Sequence, residues 1–452
     1  MSLQKVIVVG GGPVGALSAL YAARRGYEVE LYDLRDDPNY GDPNARPDIA
    51  VIPLALSERG IRAIEGAGVP GLLDEILANL RPIYTRLIHV RNKSGSHKTI
   101  PMIYGPQGQL SWGDLLEEEK ITKHVMLALM KEPTAKLFFN HRISSCDFEK
   151  KVATFDTMIW KGNAEVTRKD LTHVAEDEPR VNNTSGEEKK SPSVKEISIS
   201  STRTVNFDFL IGADGTYSTV RQFMMRKLHM DFSQQYLDAL WCDFFFPPAD
   251  DGSYRMNSTG LLVWPADESI IMCQPDFDGS FRAGMVCATD KVRHYEAHPE
   301  EFADFFDQKF PGIVGPLLSK EDITSQFVKN LKIPLKSVKT GKLGYKDNAV
   351  LLGDSSHTMT PFHAMGMITG LEDVRIFFQD FRDPRVAAAQ SSGSTEPLPF
   401  CVPGTVQAYS EFRLPDVHAM VDMAASHYHE LRIGVRSASA RAKKIIEAWL
   451  SR

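Results

Sequence analysis

Three glycines near the N-terminus have the spacing of a phosphate-binding turn. Gly10, Gly12 and Gly15 form a GxGxxG pattern between the apolar run KVIVVG and an Ala/Leu-rich helix predicted over 14–25. The first glycine permits a tight turn, the second lets a pyrophosphate come close to the backbone, and the third lets helix and strand pack. Because a helix N-terminus offers free N–H groups and a positive dipole end, the pattern indicates a bound phosphate group.

Asp33 indicates that the ligand of this turn is a nucleotide. It lies 18 residues after the last glycine of the pattern, at the end of a second strand predicted over 27–33. A carboxylate at this place accepts a hydrogen bond from a ribose hydroxyl. An ordinary strand–helix turn is the alternative, but the complete βαβ context favours nucleotide binding. Gly66, Gly68 and Gly71 repeat the spacing after a helical segment, which predicts only a helix end and a turn.

Two further apolar strands end in aspartate-bearing turns. The segment DFLIGADGTYSTVR at 208–221 runs from a strand into Asp214, and NAVLLGDSSHTMTPF at 348–362 ends its strand at Gly353 and Asp354. Either aspartate alone would more often be a helix cap than a ligand-binding group. The order and the separations of the three turns together indicate one shared nucleotide site.

The composition suits a soluble globular protein and argues against several other classes. The chain has 452 residues, 42% of them hydrophobic, and a formal net charge of −6, so it has no strong basic field for DNA or RNA. Its five dispersed cysteines form no CxxC pair, which favours a reducing compartment over a disulfide framework or a zinc site. No secretory signal and no apolar run of about 18 residues is recognisable, which leaves peripheral membrane contact open.

The remaining segments differ in their patterns. Residues 161–204 are rich in Lys, Glu, Asn, Ser and Thr and cannot bury enough surface to offset their ordering entropy, which predicts an exposed insertion. Residues 236–290 show alternating strands separated by Gly/Pro/Asp turns, as in a mainly antiparallel sheet. Helices are predicted over 364–382 and 405–450, with a Pro/Ser/Gly loop at 383–404.

The three turns, in this order, resemble those of the flavoprotein aromatic hydroxylases, the family of p-hydroxybenzoate hydroxylase. The resemblance implies that the glycine turn holds the ADP part of FAD and that Asp354 binds the ribityl chain. It also implies that the segment around Asp214 touches the flavin and helps to bind the reduced nicotinamide cofactor.

A narrower resemblance, to the kynurenine 3-monooxygenase family, covers nearly the whole chain. RLIH at 86–89 and DFSQQY at 231–236 are not general flavin signatures and favour this subfamily. The other matching segments are LALSERG at 54–60, IPMIYG at 100–105, FNHR at 139–142, LLGDSSH at 351–357, GLED at 370–373, FRLPDVHA at 412–419 and HELR at 429–432.

This resemblance implies an NADPH-dependent monooxygenase with tightly bound FAD. Reduced FAD would activate O₂ as a C4a-hydroperoxide and transfer one oxygen atom to L-kynurenine, giving 3-hydroxy-L-kynurenine in tryptophan catabolism, on the way to NAD through quinolinate. No protein nucleophile and no metal ion are expected. The family's location at the mitochondrial outer membrane is implied as well, and the cytoplasm is the alternative because the sequence shows no spanning segment.

The resemblance further implies which residues bind substrate and cofactor. Arg86 and Tyr104 match a pair that holds the substrate carboxylate, a task that suits the bidentate fork of arginine. A surface ion pair for Arg86 and a core position for Tyr104 are the alternatives. His427 stands at a substrate-contacting position. The expected cofactor-binding residues are Gly10, Gly12, Val14, Gly15, Tyr32, Asp33, Leu34, Arg35, Ala55, Ile143, Asp214, Gly353, Asp354, Pro361, Met367 and Ile368.

Residues and resemblance together predict an α/β fold. A Rossmann-like FAD-binding domain is expected to be intertwined with a mainly antiparallel substrate-domain sheet and to be followed by C-terminal helices. The FAD-binding domain would comprise 1–80, 111–160, 205–230 and 346–382, and the substrate domain 81–110 and 231–345. An exposed insertion at 161–204, a loop at 383–404 and helices at 405–452 complete the predicted organisation.

The sequence departs from the family pattern around the expected flavin site. Residues 363–368 read HAMGMI where the family has FGQGMN, Glu118 and Pro53 replace an Arg and an Asn, and His427 replaces an Asn. The family also continues into a membrane-anchoring helical tail beyond the length of this sequence. Three hypotheses therefore stay open: a kynurenine hydroxylase, a hydroxylase of another aminoaryl metabolite, and a degenerate flavin-binding protein.

Overall fold

The computed structural model describes residues 3–38, 56–78, 82–83, 85–91, 96–103, 111–112, 117–160, 197–266, 269–392 and 398–429. The strands are β1 (Lys5–Val9), β2 (Glu28–Tyr32), β3 (Pro82–Ile83), β4 (Thr85–Arg91), β5 (His97–Ile103), β6 (Ser111–Trp112), β7 (Ala135–Phe138), β8 (His141–Asp147), β9 (Val152–Trp160), β10 (Ile197–Asn206), β11 (Phe209–Gly212), β12 (Phe232–Phe246), β13 (Gly260–Pro265), β14 (Ser269–Pro275), β15 (Phe281–Ala288), β16 (Lys332–Thr340), β17 (Gly344–Tyr345) and β18 (Ala349–Leu351). The α-helices are α1 (Pro13–Arg24), α2 (Glu58–Glu65), α3 (Leu72–Leu77), α4 (Glu117–Met130), α5 (Thr219–Met225), α6 (Thr289–Ala297), α7 (Phe302–Lys309), α8 (Lys320–Lys329), α9 (Gly366–Arg375), α10 (Asp383–Ser391) and α11 (Thr405–His429). A π-helical segment, Ile376–Arg382, joins α9 to α10.

A six-stranded sheet in the order β17-β18-β11-β1-β2-β7 carries the three predicted turns. Its strands are parallel except for the β17–β18 pair. Residues 6–9 of β1 are buried without alternation, because helices cover one face of the sheet and a second sheet covers the other. Since parallel strands end at the same edge, the segments that follow β1, β2, β11 and β18 meet there.

The two faces of this sheet have separate cores. One core lies under α1, α2, α4, α9 and α11 and includes Leu20, Phe377 and Tyr409. The other core, which includes Tyr32 and Phe155, lies under the antiparallel sheet β10-β9-β8 and helix α5. The sheet is therefore a rigid platform for residues at its edge.

A seven-stranded sheet in the order β16-β12-β15-β14-β13-β4-β5 forms the second platform. All of its neighbouring strands are antiparallel except for the parallel pair β13–β4. Helices α6, α7 and α8 pack on its back face around Phe302 and Phe306. Its front face carries Trp241 and meets Phe362 and Tyr428. The predicted α/β fold, with a Rossmann-like unit, a mainly antiparallel sheet and C-terminal helices, is confirmed.

One local prediction is wrong. The predicted loop 383–404 begins with helix α10, in which Pro384 occupies the first turn, where proline is tolerated, and Ala387–Ala389 favour helix. The exposed insertion expected over 161–204 stays a prediction. Its last residues lie in β10, which starts at Ile197 and pairs with β9 across one register shift, and residues 199–204 are exposed. Residues 161–196 lie outside the described part.

Within the part of the chain that the structure covers, no helix is both long enough and apolar enough to cross a bilayer. The domain boundaries expected from the sequence stay predictions.

Candidate functional site

The glycine turn after β1 depends on two close backbone contacts. Gly10 has a φ of +103°, and a Cβ there would lie 2.2 Å from the carbonyl oxygen of Ala213. A Cβ on Gly15 would lie 1.9 Å from the carbonyl oxygen of Gly10, so α1 can approach β1 this closely only through a glycine. The turn therefore has the geometry that the first and third glycines of the pattern require.

The middle glycine borders open space. A Cβ on Gly12 would meet no atom of the described residues within 4 Å. Gly12 is the N-cap of α1 and offers no capping side chain, and the first turn of α1 contains no acidic residue. The N–H groups and the positive dipole end of α1 are thus left for an external anion, which fits a pyrophosphate.

The carboxylate of Asp33 lies beside this turn and is fully used in this conformation. Its Oδ2 accepts from Gly11 N at 2.5 Å and from Arg35 Nη2 at 2.8 Å, and its Oδ1 accepts from Arg35 N at 2.7 Å and Nε at 3.0 Å. Burial raises the pKa of Asp33, but Arg35 and the backbone donors outweigh burial and hold the pKa below its ordinary value. Since a carboxylate offers about four acceptor positions, a ribose hydroxyl can bind Asp33 only if Arg35 moves.

Asp214 caps the helix that follows its turn. Its Oδ2 accepts from the N–H groups of Thr219 at 2.7 Å and Val220 at 3.0 Å, and its Oδ1 accepts from Ser218 Oγ at 2.5 Å. These contacts occupy the carboxylate at the start of α5. The helix-cap alternative therefore describes the Asp214 side chain in this conformation, and contact between its segment and flavin stays a prediction.

Arg221 and Thr216 join the two aspartate-bearing turns. The buried Arg221 donates from Nη1 to Ser355 O at 2.7 Å and from Nη2 to Thr216 O at 2.6 Å. Thr216 Oγ1 donates to Asp354 Oδ2 at 3.1 Å and accepts from Thr358 Oγ1 at 3.1 Å. Two turns that are far apart in the chain are thereby held as one unit.

Val14 joins the Asp354 turn to the glycine turn. The Val14 side chain packs against the backbone of Gly353 and Gly370. If these glycines had a Cβ, it would lie only 3.0 Å (Gly353) or 2.6 Å (Gly370) from Val14 Cγ2. The structure thus brings the turns bearing Gly10, Asp214 and Asp354 to one edge of the six-stranded sheet.

A buried ionic cluster supports the Asp354 turn. Asp373 in α9 accepts from Gly353 N at 2.9 Å and Arg413 Nε at 2.8 Å, and its Oδ2 lies 2.6 Å from His357 Nε2. Arg413 Nη2 also donates to Glu372 Oε2 at 2.9 Å. Burial raises the pKa of Asp373, but His357 and Arg413 outweigh burial and hold the pKa below its ordinary value. We call Asp373, His357 and Arg413 the Asp373 cluster.

Several polar atoms near these turns lack a partner. Within the described part of the chain, no hydrogen bond reaches the buried atoms Arg221 Nε, His357 Nδ1, Thr360 Oγ1 and Thr369 Oγ1. An unsatisfied buried polar atom costs about 1–3 kcal/mol, so such atoms collect where a ligand or water completes the bonding. Together with the open space beside Gly12, they fit a large polar cofactor such as FAD.

Other expected cofactor residues lie behind the edge. The ring of Tyr32 stacks on Phe155 with a centroid distance of 3.7 Å, and its hydroxyl donates to Glu30 at 2.6 Å. Ile143 is buried in the same core, and Leu34 is half-buried. The Tyr32 carbonyl accepts from Gly10 N at 2.8 Å, so Tyr32 reaches the site through its backbone. The cofactor contacts expected of these residues stay predictions.

The loop before α9 adopts a conformation that the family's glycine would favour. Ala364, which follows a short 3-10 turn starting at Pro361, has φ +52° and ψ 29°. A residue with a Cβ in this left-handed region costs about 1–2 kcal/mol. Met367 and Ile368 follow in the first turn of α9 and are buried.

Two ring pairs connect this loop to the end of α11. The imidazoles of His363 and His427 stack with centroids 4.1 Å apart, and Phe362 packs on Tyr428 at 4.8 Å. Phe362 and Tyr428 belong to the core on the front face of the seven-stranded sheet. His427 thus lies at the junction of loop, helix and front face.

Arg86 lies on the same front face. In the parallel β13–β4 ladder, Arg86 pairs with Leu261 and Ile88 pairs with Val263, and both partners belong to the front-face core. Residues directly opposite each other in a ladder point to the same face of the sheet. Tyr104, Ala55 and Pro53 lie outside the described residues, as does the side chain of Glu118.

Several residues that organise this edge had no role predicted from the sequence. Arg221, Asp373 and Arg413 all stand within segments noted for their family resemblance. A charged residue inside an otherwise apolar helix, such as Asp373 in α9, is a signal that could have indicated the cluster.

Comparisons with known proteins agree with this geometry. Residues 163–381 match the family described as FAD binding domain. Kynurenine 3-monooxygenase acdD of Aspergillus candidus is 34% identical over 453 residues, which cover 100% of this chain and 83% of that protein. Kynurenine 3-monooxygenase of Aspergillus oryzae is 34% identical, with 99% of this chain and 81% of that protein covered.

Solved structures share the fold at lower identity. PqsL of Pseudomonas aeruginosa, described as a probable FAD-dependent monooxygenase, superimposes with a TM-score of 0.62 and 16% identity over 97% of this chain and 99% of that chain. A 2-methyl-3-hydroxypyridine-5-carboxylic acid oxygenase gives a TM-score of 0.64 and 14% identity over 97% of this chain and 95% of that chain. Because relatives above 30% identity match nearly its whole length, the chain belongs to the kynurenine 3-monooxygenase family of FAD-dependent monooxygenases.

Proposed function

We propose that this enzyme uses FAD and NADPH to hydroxylate L-kynurenine to 3-hydroxy-L-kynurenine. One atom of O₂ enters the ring, the other leaves as water, and NADPH supplies the two electrons that the balance requires. The observation that carries the proposal is the convergence of three turns at one sheet edge, in a chain that is similar over its full length to proteins named kynurenine 3-monooxygenase.

The chain's own residues would hold the cofactor at that edge. The start of α1 beside Gly12 would bind the pyrophosphate, and Asp33 would bind the adenosine ribose after Arg35 has turned from Asp33 towards the nucleotide. Asp354 would accept from the ribityl hydroxyls, and Thr216 and the Asp373 cluster would keep its turn in place. When bound, FAD supplies the chemistry of oxygen activation, and the protein supplies position and exclusion of water.

Substrate would bind beside the front face of the seven-stranded sheet and the two ring pairs. Arg86 would hold the carboxylate of kynurenine by two parallel hydrogen bonds, which fixes the amino-acid end at a defined distance from the flavin edge. Phe362 and Tyr428 would provide apolar contact for the aromatic ring. The stacked His363 and His427 would limit which ring substituents fit.

The test is kynurenine-dependent NADPH oxidation by FAD-loaded protein, with 3-hydroxykynurenine measured by mass spectrometry. Arg86→Lys keeps the charge and removes the bidentate fork, so kcat/KM should fall by about tenfold or more, mainly through KM. Arg91→Lys is the matched control, because Arg91 lies on the same strand and points to the opposite face. Equal kinetics for both variants would contradict the role of Arg86.

A hydroxylase of another aminoaryl carboxylate is the second candidate. The His363–His427 stack favours it, because two imidazoles narrow the space that an asparagine at 427 would leave. A substrate panel that includes kynurenine and anthranilate, followed by the rate of flavin reduction, separates the two candidates. Flavin that binds but is reduced equally slowly with every compound would instead indicate a degenerate flavin-binding protein.

We also propose that the enzyme works at the mitochondrial outer membrane, as the family resemblance implies, with a cytoplasmic location as the alternative. Fractionation of cells that express the full chain tests this location. Recovery of the enzyme with washed mitochondria would support it, and recovery only in the supernatant would contradict it.

A further inference from the structure

A cluster of metal-ligating side chains lies far from the flavin edge, on the back of the seven-stranded sheet. His294 is in the last turn of α6, His298 ends that helix, and Glu300 and Glu301 lie in the short 3-10 turn that leads into α7. Their side chains are 48% (His294), 51% (His298), 71% (Glu300) and 54% (Glu301) exposed. Nothing in the proposed hydroxylase function uses them.

Three of the four side chains already converge, and the fourth, His294, contacts one of them. One ligand atom from each of His298, Glu300 and Glu301 lies within 4.8 Å of the others. His294 Nε2 is 2.9 Å from Glu301 Oε2, and His298 Nδ1 is 3.6 Å from Glu300 Oε1. The rings of His294 and His298 have centroids 5.0 Å apart.

These separations match those between ligands of one ion. Zinc bonds to nitrogen and oxygen are about 2.0–2.2 Å long, so two ligands of a tetrahedral zinc ion lie about 3.4 Å apart. The 3.6 Å between His298 Nδ1 and Glu300 Oε1 is too long for a good hydrogen bond and close to this ligand separation. His298, Glu300 and Glu301 thus already lie close enough to share one ion, and the exposed His294, which contacts Glu301, would rotate to become the fourth ligand.

The backbone of the cluster is already ordered by its own hydrogen bonds. His298 N donates to His294 O at 2.9 Å, which sets the two histidines one helical turn apart on the same side of the chain. Glu301 N donates to His298 O at 3.2 Å, which folds the glutamates back towards the histidines. Binding an ion would therefore order side chains only, and that lowers its entropic cost.

We propose that His294, His298, Glu300 and Glu301 form a zinc site that fastens the end of α6 to the start of α7. Two neutral imidazoles and two carboxylates balance the charge of Zn²⁺, and nitrogen with oxygen ligands suits this borderline ion better than Mg²⁺ or Ca²⁺. Glu300 and Glu301 also border a cavity of about 440 Å³ that is lined by Lys291, Asp304 and Lys309. Zinc would withdraw both carboxylates from that cavity wall.

The test uses tag-free, FAD-loaded full-length protein that has been treated with a chelator and desalted. Isothermal titration with ZnCl₂ should show one site per chain, and native mass spectrometry should show one added zinc ion. The double variant His294→Ala/His298→Ala should lose this site, and Glu300→Gln should weaken it by about tenfold or more. Zinc should raise the unfolding temperature of wild-type protein and leave that of the double variant unchanged.

His229→Ala is the matched control, because His229 is an exposed histidine outside the cluster. It should keep wild-type zinc affinity, and kynurenine-independent properties such as FAD content should be the same in all variants. Absence of zinc binding, or equal affinity in the double variant and wild type, would overturn the proposal. In that case the two histidine–glutamate contacts are ordinary surface ion pairs.

Discussion

Replacement of Asp373 by Asn tests how the Asp354 turn is supported. Asp373 and Arg413 are 1% and 4% exposed, so their interaction is hardly screened by solvent. Breaking a buried ion pair costs about 3–5 kcal/mol, because the remaining charge is left buried. Glu372 stays within 2.9 Å of Arg413 and compensates in part, so we expect the low end, about 3 kcal/mol. The amide also loses acceptor strength towards Gly353 N, which should weaken FAD binding by about tenfold, equivalent to about 1.4 kcal/mol.

The measurement compares two variants that touch the same arginine. Asp416→Asn is the control, because Asp416 lies 3.8 Å from Arg413 Nη1 and is 64% exposed, so its removal should cost at most about 1 kcal/mol. Urea midpoints at saturating FAD give the loss of stability, and quenching of flavin fluorescence gives the FAD affinity. Equal urea midpoints and equal FAD affinities for the two variants would refute the supporting role of the Asp373 cluster.

Three further changes have defined outcomes. Ala364→Gly should raise the free energy of unfolding by about 1 kcal/mol, because it relieves a φ of +52°; a lower urea midpoint would contradict this account. Gly15→Ala should lower the stability of FAD-free protein by at least about 2 kcal/mol, because the added Cβ would meet the carbonyl oxygen of Gly10 at 1.9 Å; an unchanged thermal melt would contradict it. The pKa values of Asp33 and Asp373 are held below their ordinary values. Their contribution to the free energy of unfolding is therefore complete above the unfolded-state pKa near 3.9 and is lost as the pH falls through the folded-state pKa. Urea midpoints should decline below about pH 4, and they should decline less steeply in Asp373→Asn.

The fold and the three turns could be predicted because local sequence patterns determine them. The β1–α1–β2 unit has an uninterrupted apolar strand, a glycine turn and a helix of small residues, and each of these patterns is visible within a few residues. Parallel strands then bring their ends together whatever the distance along the chain. That is why the sequence alone predicts the turns at Asp214 and Asp354 at one edge of the sheet.

The contacts that organise the site depend on distant residues and could not be predicted in this way. Arg413 reaches Asp373 from 40 positions away, and Arg221 reaches Ser355 from 134 positions away. The sequence motif requires only an acidic residue after the second strand. It therefore cannot predict that Arg35 and the N–H of Gly11 already donate hydrogen bonds to Asp33. The loop predicted over 383–404 was wrong at α10, because proline is common both in loops and in the first turn of a helix.

Titration of FAD-free wild-type protein and Gly12→Ala with FAD, followed by flavin fluorescence, tests most directly whether the three turns bind one FAD through the open space beside Gly12. Because no described atom lies within 4 Å of the new methyl group, both proteins should melt at the same temperature without FAD, whereas the variant should bind FAD at least about tenfold more weakly than the single tight site of wild type. Wild-type protein that stays colourless with excess FAD, or a variant that binds FAD as tightly as wild type, would contradict the claim.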